Sequence, residues 1–277
     1  MDKAPSVRLR NGVEMPVLGI GTSPLRGRDS TDQIRAAIEA GYRLIDTAEN
    51  YGNEDAVGQG LRDSGIDRSE VFLTTKFNRK WHSVDGVRQA YEASKKRLGV
   101  DYIDLLLVHW PNPDQDRYVE AVQGLQALLD AGELRAIGVS NFKPAHLQRV
   151  QDETGIVPHV NQIQLSPYGT RAESRAYHTE RGIVTESWSP LGASNSGLRN
   201  DPVITEIGQA YQKSTTQVVL RWHVQLGCVA IPRSSNPGRM AENLDIFDFE
   251  LTAEDTDRIS AFDRGDSEIA DSDKVGH

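Results

Sequence analysis

The chain is poor in the residues that would tie it to several large classes of function. Cys228 is its only cysteine, so it has no internal disulfide and no site built from several thiolates. No run approaches the roughly 20 apolar residues of a bilayer span. Met1-Asp2-Lys3-Ala4-Pro5-Ser6 also lacks the charged-then-apolar order of a secretion signal. Basic residues are outnumbered, 31 against 40 acidic, for a formal net charge of −9. That balance disfavours a general nucleic-acid or membrane surface, and any anionic ligand must be met by local positive charge. The seven histidines include no His-x-His or His-x-x-x-His pair, which weakens a metal-dependent hydrolase reading. The expectation is a cytoplasmic monomer without a bound metal.

What is present is a rhythm. Val7 to Val17 resembles a hairpin, with Asn11-Gly12 suited to a two-residue turn. From Leu18 onward, short β-rich runs alternate with helical stripes. The strand candidates are Leu18 to Gly21, Arg43 to Ile45, Val71 to Thr74, Ile103 to Val108, Leu134 to Val139, Val160 to Gln164, Ile183 to Glu186 and Cys228 to Ile231. Helical spacing shows in sets such as Val84, Val87, Tyr91 and Leu98, closed by Gly99. After the seventh strand comes a loop rich in Gly, Ser and Asn, from Gly192 to Asn200. Two helices, Pro202 to Tyr211 and Thr216 to Gln225, follow it. Eight such repeats in 277 residues, without a composition break, predict one domain over residues 1–277. Its fold is an α/β, (β/α)8 TIM barrel with an N-terminal hairpin and extra helices. The tail, residues 265–277, is expected to be either flexible or folded over the barrel mouth.

A barrel of this kind carries its active site at the C-terminal ends of its strands. Asp46, Lys76 and His109 follow the second, third and fourth strands, and Tyr51 lies in the loop after the second. A free phenol titrates near 10; an adjacent ammonium lowers that by roughly one to three units. Lys76 is thus expected to tune Tyr51, with Asp46 holding Lys76 charged. A neutral His109 would direct the oxygen that receives the proton. Taken singly, the Asp and Lys read equally well as a structural ion pair, the tyrosine as packing and the histidine as a core residue. Their succession on adjacent strands turns the reading toward chemistry.

The chain resembles an aldo-keto reductase over nearly its whole length. The matching segments are Met15-Pro16-Val17-Leu18-Gly19-Ile20-Gly21-Thr22, Asp46-Thr47-Ala48 with Tyr51-Gly52-Asn53-Glu54, Thr75-Lys76, His109-Trp110-Pro111, Gly138-Val139-Ser140-Asn141-Phe142, Asn161-Gln162 and Ile231-Pro232-Arg233-Ser234. Within that family it is most similar to the bacterial branch that includes the 2,5-diketo-gluconate reductases. The resemblance implies a barrel that binds NADPH (NADP+) without a Rossmann fold and reduces a small carbonyl substrate by hydride transfer. Aldehydes, α-dicarbonyls and keto sugars are the candidate substrates. It makes Asp46, Tyr51, Lys76 and His109 the catalytic tetrad, with Tyr51 as general acid.

Gly19-Ile20-Gly21 continues as Thr22-Ser23-Pro24 and so lacks the third glycine of a Rossmann fingerprint. By the resemblance, Gly21 and Thr22 lie near the nicotinamide, and Ser140, Asn141 and Gln162 bond its carboxamide. Trp188 stacks on it, while Ser189 and Leu191 continue toward the pyrophosphate. Arg233, Ser234, Asn236 and Arg239 gather at the start of the eighth helix, where free N–H groups and two guanidinium groups suit a phosphate. This favours NADPH over NADH, although the family usually has lysine where Arg233 stands. Glu242 and Asn243 match adenine contacts. For the substrate, Trp110 is expected as a wall of the pocket, joined by Phe77 and Asn78. A regulatory module that binds NADPH without much turnover is the rival from another class, and the intact tetrad speaks against it.

Overall fold

The computed structural model describes residues 4–25, 27–193 and 196–277. Ser194 and Asn195, inside the loop expected after the seventh barrel strand, lie outside the described residues, as do Met1, Asp2, Lys3 and Arg26. A short antiparallel hairpin, β1 (Ser6–Arg8) and β2 (Glu14–Pro16), comes first. Its turn is one residue longer than the Asn-Gly pattern suggested. The Gly12 amide donates to the Leu9 carbonyl, and the Leu9 amide donates to the Val13 carbonyl. Gly12 takes φ +87°, the positive-φ position of a three-residue hairpin loop. The Asn11 amide reaches the Arg135 carbonyl at 2.8 Å. Leu9 and Met15, buried with Leu44, Phe72, Leu105 and Val229, close the floor of the barrel.

Eight parallel strands follow: β3 (Ile20–Gly21), β4 (Leu44–Asp46), β5 (Phe72–Phe77), β6 (Ile103–Val108), β7 (Leu134–Ser140), β8 (Val160–Gln164), β9 (Val184–Trp188) and β10 (Val229–Ile231). They pair in chain order, and a parallel bridge from Leu18 to Ala230 brings the two ends of the sheet together. The Gly21 amide continues that seam to the Pro232 carbonyl. Each strand is flanked by helical segments: α1 (Arg28–Ala40), α2 (Glu54–Asp63), α3 (Val84–Leu98), α4 (Tyr118–Asp130), α5 (Pro144–Thr154), α6 (Ala172–Glu180), α7 (Pro202–Tyr211), α8 (Thr215–Gln225), α9 (Pro237–Leu244) and α10 (Ala253–Ser260). The (β/α)8 barrel with its hairpin and additional helices is therefore what the chain adopts.

The strands β5 and β6 are buried along their whole length, as a sheet covered on both faces requires. Successive side chains split between two compartments, because a strand repeats every two residues. Leu105 and Leu107 of β6 point to the barrel interior, Leu106 and Val108 to the layer under the helices. Among the described residues no helix is long and apolar enough to cross a membrane.

Candidate active site

At the C-terminal ends of the strands the interior turns polar. Asp46 ends β4, Lys76 lies one residue before the end of β5, and His109 follows β6 directly. The Lys76 side chain is fully buried, and its ammonium donates to Asp46 Oδ1 at 2.6 Å, to the Thr47 carbonyl at 3.0 Å and to the Tyr51 hydroxyl at 3.4 Å. Burial works against the ammonium, but the charges of Asp46 and Tyr51 and the bond to Asp46 raise its pKa above the usual lysine value. Tyr51 stands in a short 3-10 turn, Glu49–Tyr51, that follows β4. Its ring meets the His109 ring edge-on, with centroids 5.9 Å apart.

The expectation that Lys76 brings the Tyr51 pKa below its usual value needs correction. Burial of the phenol is the larger influence, Asp46 and Glu186 push the same way, and the net direction is upward despite Lys76. The Lys76 charge does pull the value down, second only to burial in size, but it does not offset the burial and the two nearby carboxyl groups. His109 is held neutral: burial, then the charge of Lys76, takes its pKa well below the usual value. Its Nδ1 is buried without a partner.

A cavity of about 500 Å³ opens above this group. Tyr51, His109, Trp110 and Asp46 line it. So do Gly21, Thr22, Ser140, Asn141, Gln162, Trp188, Ser189, Leu191 and Arg233 from the expected cofactor set. Asn141 and Ser189 sit at strand ends with φ of 64° and 51°; backbone held in this region by non-glycine residues gathers at functional sites. The Asn141 side chain donates to the His109 carbonyl and to Ser140 Oγ and accepts the Trp188 indole N–H at 2.9 Å. Ser140 Oγ donates to the Gln162 carbonyl. Wall residues from β7, β8 and β9 are thereby locked to one another.

The remaining expected residues lie elsewhere. Phe77 is turned away from the cavity: it is wholly buried in the outer core, edge-on to His82. The period of two that aims Lys76 inward aims its neighbour outward. Asn78 does not line the cavity; its backbone N–H donates to Glu49 Oε2 and its side-chain nitrogen to Asn50 Oδ1. Ser234, Asn236, Arg239, Glu242 and Asn243 are outside the cavity wall, in and around α9. Ser234 is buried and its carbonyl accepts from Gln33, which also reaches the Gly21 carbonyl. Asn236 caps α9 by accepting from the Arg239 amide at 3.0 Å. The Arg239 side chain is exposed and has no acidic partner among the described residues. Glu242 is half-buried, with its carbonyl accepting from Gln217, and Asn243 is buried beside the Tyr42 hydroxyl.

Three cavity neighbours were not anticipated. Arg199, in the 3-10 turn Leu198–Asn200, lines the wall without an acidic partner among the described residues. His277 reaches in from the tail, its ring 4.6 Å from that of His109 and 6.0 Å from that of Trp110. Glu186 lies below the cavity, fully buried and bonded to Gln162 at 2.7 Å. An acid at the end of the strand candidate Ile183 to Glu186 was the one available sign of it. The tail reaches the mouth by way of anchors at Lys143, which pairs with Asp271 and Asp273, and at Gln164, which bonds the Glu268 carbonyl and the Ala270 amide. No group of three or more metal-ligating side chains occurs among the described residues.

Comparison with known proteins places this barrel in a family. The model of the aldo/keto reductase family matches residues 17–264. The chain is 45% identical to 2,5-diketo-D-gluconic acid reductase B of Corynebacterium sp. (strain SHS752001) over 265 residues, 96% of this chain and 95% of that protein. It is 42% identical to morphine 6-dehydrogenase of Pseudomonas putida over 274 residues, 95% of this chain and 93% of that protein. The crystal structure of a Bombyx mori aldo-keto reductase in complex with NADP superposes with a TM-score of 0.92 at 35% identity, covering 99% of this chain and 97% of that one. By sequence and fold, the chain belongs to the aldo/keto reductase family.

Proposed function

We propose that the protein reduces small aldehydes, α-dicarbonyls or keto sugars to alcohols with NADPH, using Tyr51 as the general acid. The observation that carries this reading is the Tyr51 hydroxyl, set in the cavity wall within 3.4 Å of the Lys76 ammonium and facing a neutral His109. A carbonyl oxygen between Tyr51 and His109 receives two hydrogen bonds that strengthen as negative charge develops on it. When bound, NADPH supplies the hydride to the carbonyl carbon. The chain's own part is the proton. An alkoxide is a far stronger base than a tyrosinate, so even a phenol of raised pKa gives up its proton once the oxygen becomes anionic. Lys76, held charged by Asp46, stabilises the tyrosinate left behind.

The residues present suit the cofactor. Thr22 Oγ1 is buried without a partner on the cavity wall. Trp188, fixed by its N–H to Asn141, offers an indole plane in the cavity. Arg199, Arg233 and Arg239 are exposed and lack acidic partners among the described residues. Together with the positive end of the α9 dipole they form a positive edge on an acidic protein, suited to the pyrophosphate and the additional ribose phosphate. The test is NADPH absorbance against a panel of aldehydes, α-dicarbonyls and keto sugars. Turnover with part of the panel supports the reading; tight NADPH binding without any turnover replaces it with a regulatory role.

A further inference from the structure

Glu186 plays no part in the chemistry just described, yet it is built into the same bonded group. Its side chain enters the barrel from β9, in register with Gln162 on β8 and Val229 on β10. The Gln162 side-chain nitrogen donates to Glu186 Oε2 at 2.7 Å and to Asp46 Oδ2 at 2.8 Å. One amide thus holds two carboxyl groups from strands that are not neighbours. Lys76 offers Glu186 no contact: its donors go to Asp46, Thr47 and Tyr51. Glu186 Oε1 has no partner at all. A carboxylate buried without a cation and with one bare oxygen is far costlier than the neutral acid.

We propose that Glu186 is a positioning residue that carries a proton while the enzyme works. Through the amide it shares with Asp46, it keeps the Asp46–Lys76 pair electrically balanced beneath Tyr51. The groups that face it are Asp46 from β4, Lys76 from β5 and Tyr51 from the loop after β4; Gln162 and Val229 on the adjoining strands do not titrate. His223 of α8 meets β9 on its outer side, at Ser187. Burial, with the charge of Asp46 adding to it, pushes the Glu186 pKa up to about 8, against the opposing bond from Gln162 and the charge of Lys76. Below that value the Asp46, Lys76 and Glu186 group has no net charge; above it one negative charge remains. That charge raises the Tyr51 pKa further and draws the Gln162 amide away from Asp46. Reduction should therefore slow on the alkaline side.

The effect on turnover rests on the reading of Tyr51 as proton donor, whereas the proton on Glu186 does not. The experiment separates them. Protein labelled with 13C at the glutamate side-chain carboxyl is titrated by NMR, with NADPH present, from about pH 4 to about pH 10, which brackets the carboxyl and phenol reference values. One glutamate signal should remain in the protonated position at neutral pH and titrate near 8, and it should vanish in Glu186→Gln. If every glutamate has titrated by about pH 6, some two units above the reference value, the proposal is overturned, and this needs no variant to fold. In kinetics, Glu186→Ala should lower kcat about tenfold, the factor carried by one lost buried hydrogen bond, and Glu186→Gln should recover most of it. Glu186→Gln should also move the alkaline limb of kcat upward by at least about one pH unit, a tenfold change in proton activity. An unmoved limb overturns the proposal. A protein that reduces no carbonyl but shows the high-titrating glutamate sinks only the assigned activity.

Discussion

Tyr51 and Phe77 show how much one atom or one step along a strand decides. Replacing Tyr51 by phenylalanine removes only the hydroxyl that Lys76 contacts at 3.4 Å, and the ring can still pack against His109. Reduction should fall by about 10²–10⁴-fold, the range of a lost general acid. The NADPH Kd, followed by quenching of protein fluorescence, should hardly change. Comparable turnover in Tyr51→Phe would remove the phenol from the acid role. Arg239→Ala addresses cofactor choice. If this exposed guanidinium meets the additional ribose phosphate, its loss should weaken NADPH by about 10- to 100-fold, as a charged hydrogen bond allows, and leave NADH nearly unaffected. Equal losses for both would place the arginine elsewhere. The clustering of Asp46, Tyr51, Lys76 and His109 was legible in the sequence because strand ends in a barrel converge on one mouth. Phe77 was misread because proximity to Lys76 in sequence ignored the alternation of the strand. The raised pKa of Tyr51 could not be read at all, since it depends on how deeply the folded chain buries the phenol.

At the level of elements, the strands announced themselves by apolar β-branched runs, and helices such as α3 by their stripe and the glycine at the end. Two helices did not. The buried face of α6 is made by Ser174 and His178 rather than by apolar residues. His178 fits there because its ring nitrogens meet Thr185 Oγ1 and Asn161 Nδ2, each at 2.9 Å, a pairing invisible along the chain. Only Ile259 of α10 is buried, and the helix starts at the cap from Thr252. The tail posed the same difficulty: its acidic residues look like a solvated end until Lys143 and His146 are placed opposite Asp271 and Asp273. These pairs are partly exposed, and such pairs contribute about 0–1 kcal/mol each. Lys143→Ala alone should therefore change KM for a carbonyl substrate by less than about fivefold, the factor that corresponds to about 1 kcal/mol. Removing residues 265–277 takes away every anchor together with the His277 ring. That variant should raise KM well beyond the single substitution while NADPH affinity stays close to that of the full chain. Steady-state kinetics and a cofactor titration check this, and a tail-less protein with unchanged KM would show that the tail does not shape the substrate site.

For the whole molecule, the buried titratable groups set a pH of greatest stability. Burial lowers His82 to about 4, His178 to about 3 and His223 to about 4, from 6.5. In the unfolded chain each takes up a proton near 6.5, and in the folded chain it does not. Stability is therefore lost as pH falls below 6.5, by up to about 1.4 kcal/mol per pH unit for each histidine. Glu186 acts with the opposite sign. Its folded value of about 8 lies above the usual 4.5, so its contribution is complete below 4.5 and declines as pH rises through 8. Lys76, raised above 10.5, contributes below that value and is lost only at higher pH. Between 4.5 and 6.5 the three histidines outweigh the single glutamate, and stability climbs with pH. Between 6.5 and 8 the glutamate acts with little opposition, and stability drifts down. Urea midpoints measured across this range should peak near pH 6.5. In Glu186→Gln the decline from 6.5 to 8 should flatten while the acid limb stays in place, because the histidines are untouched. A wild-type midpoint that keeps rising through pH 8 would mean that Glu186 is ionised in the fold, and with it the balanced charge beneath Tyr51 would have to be abandoned.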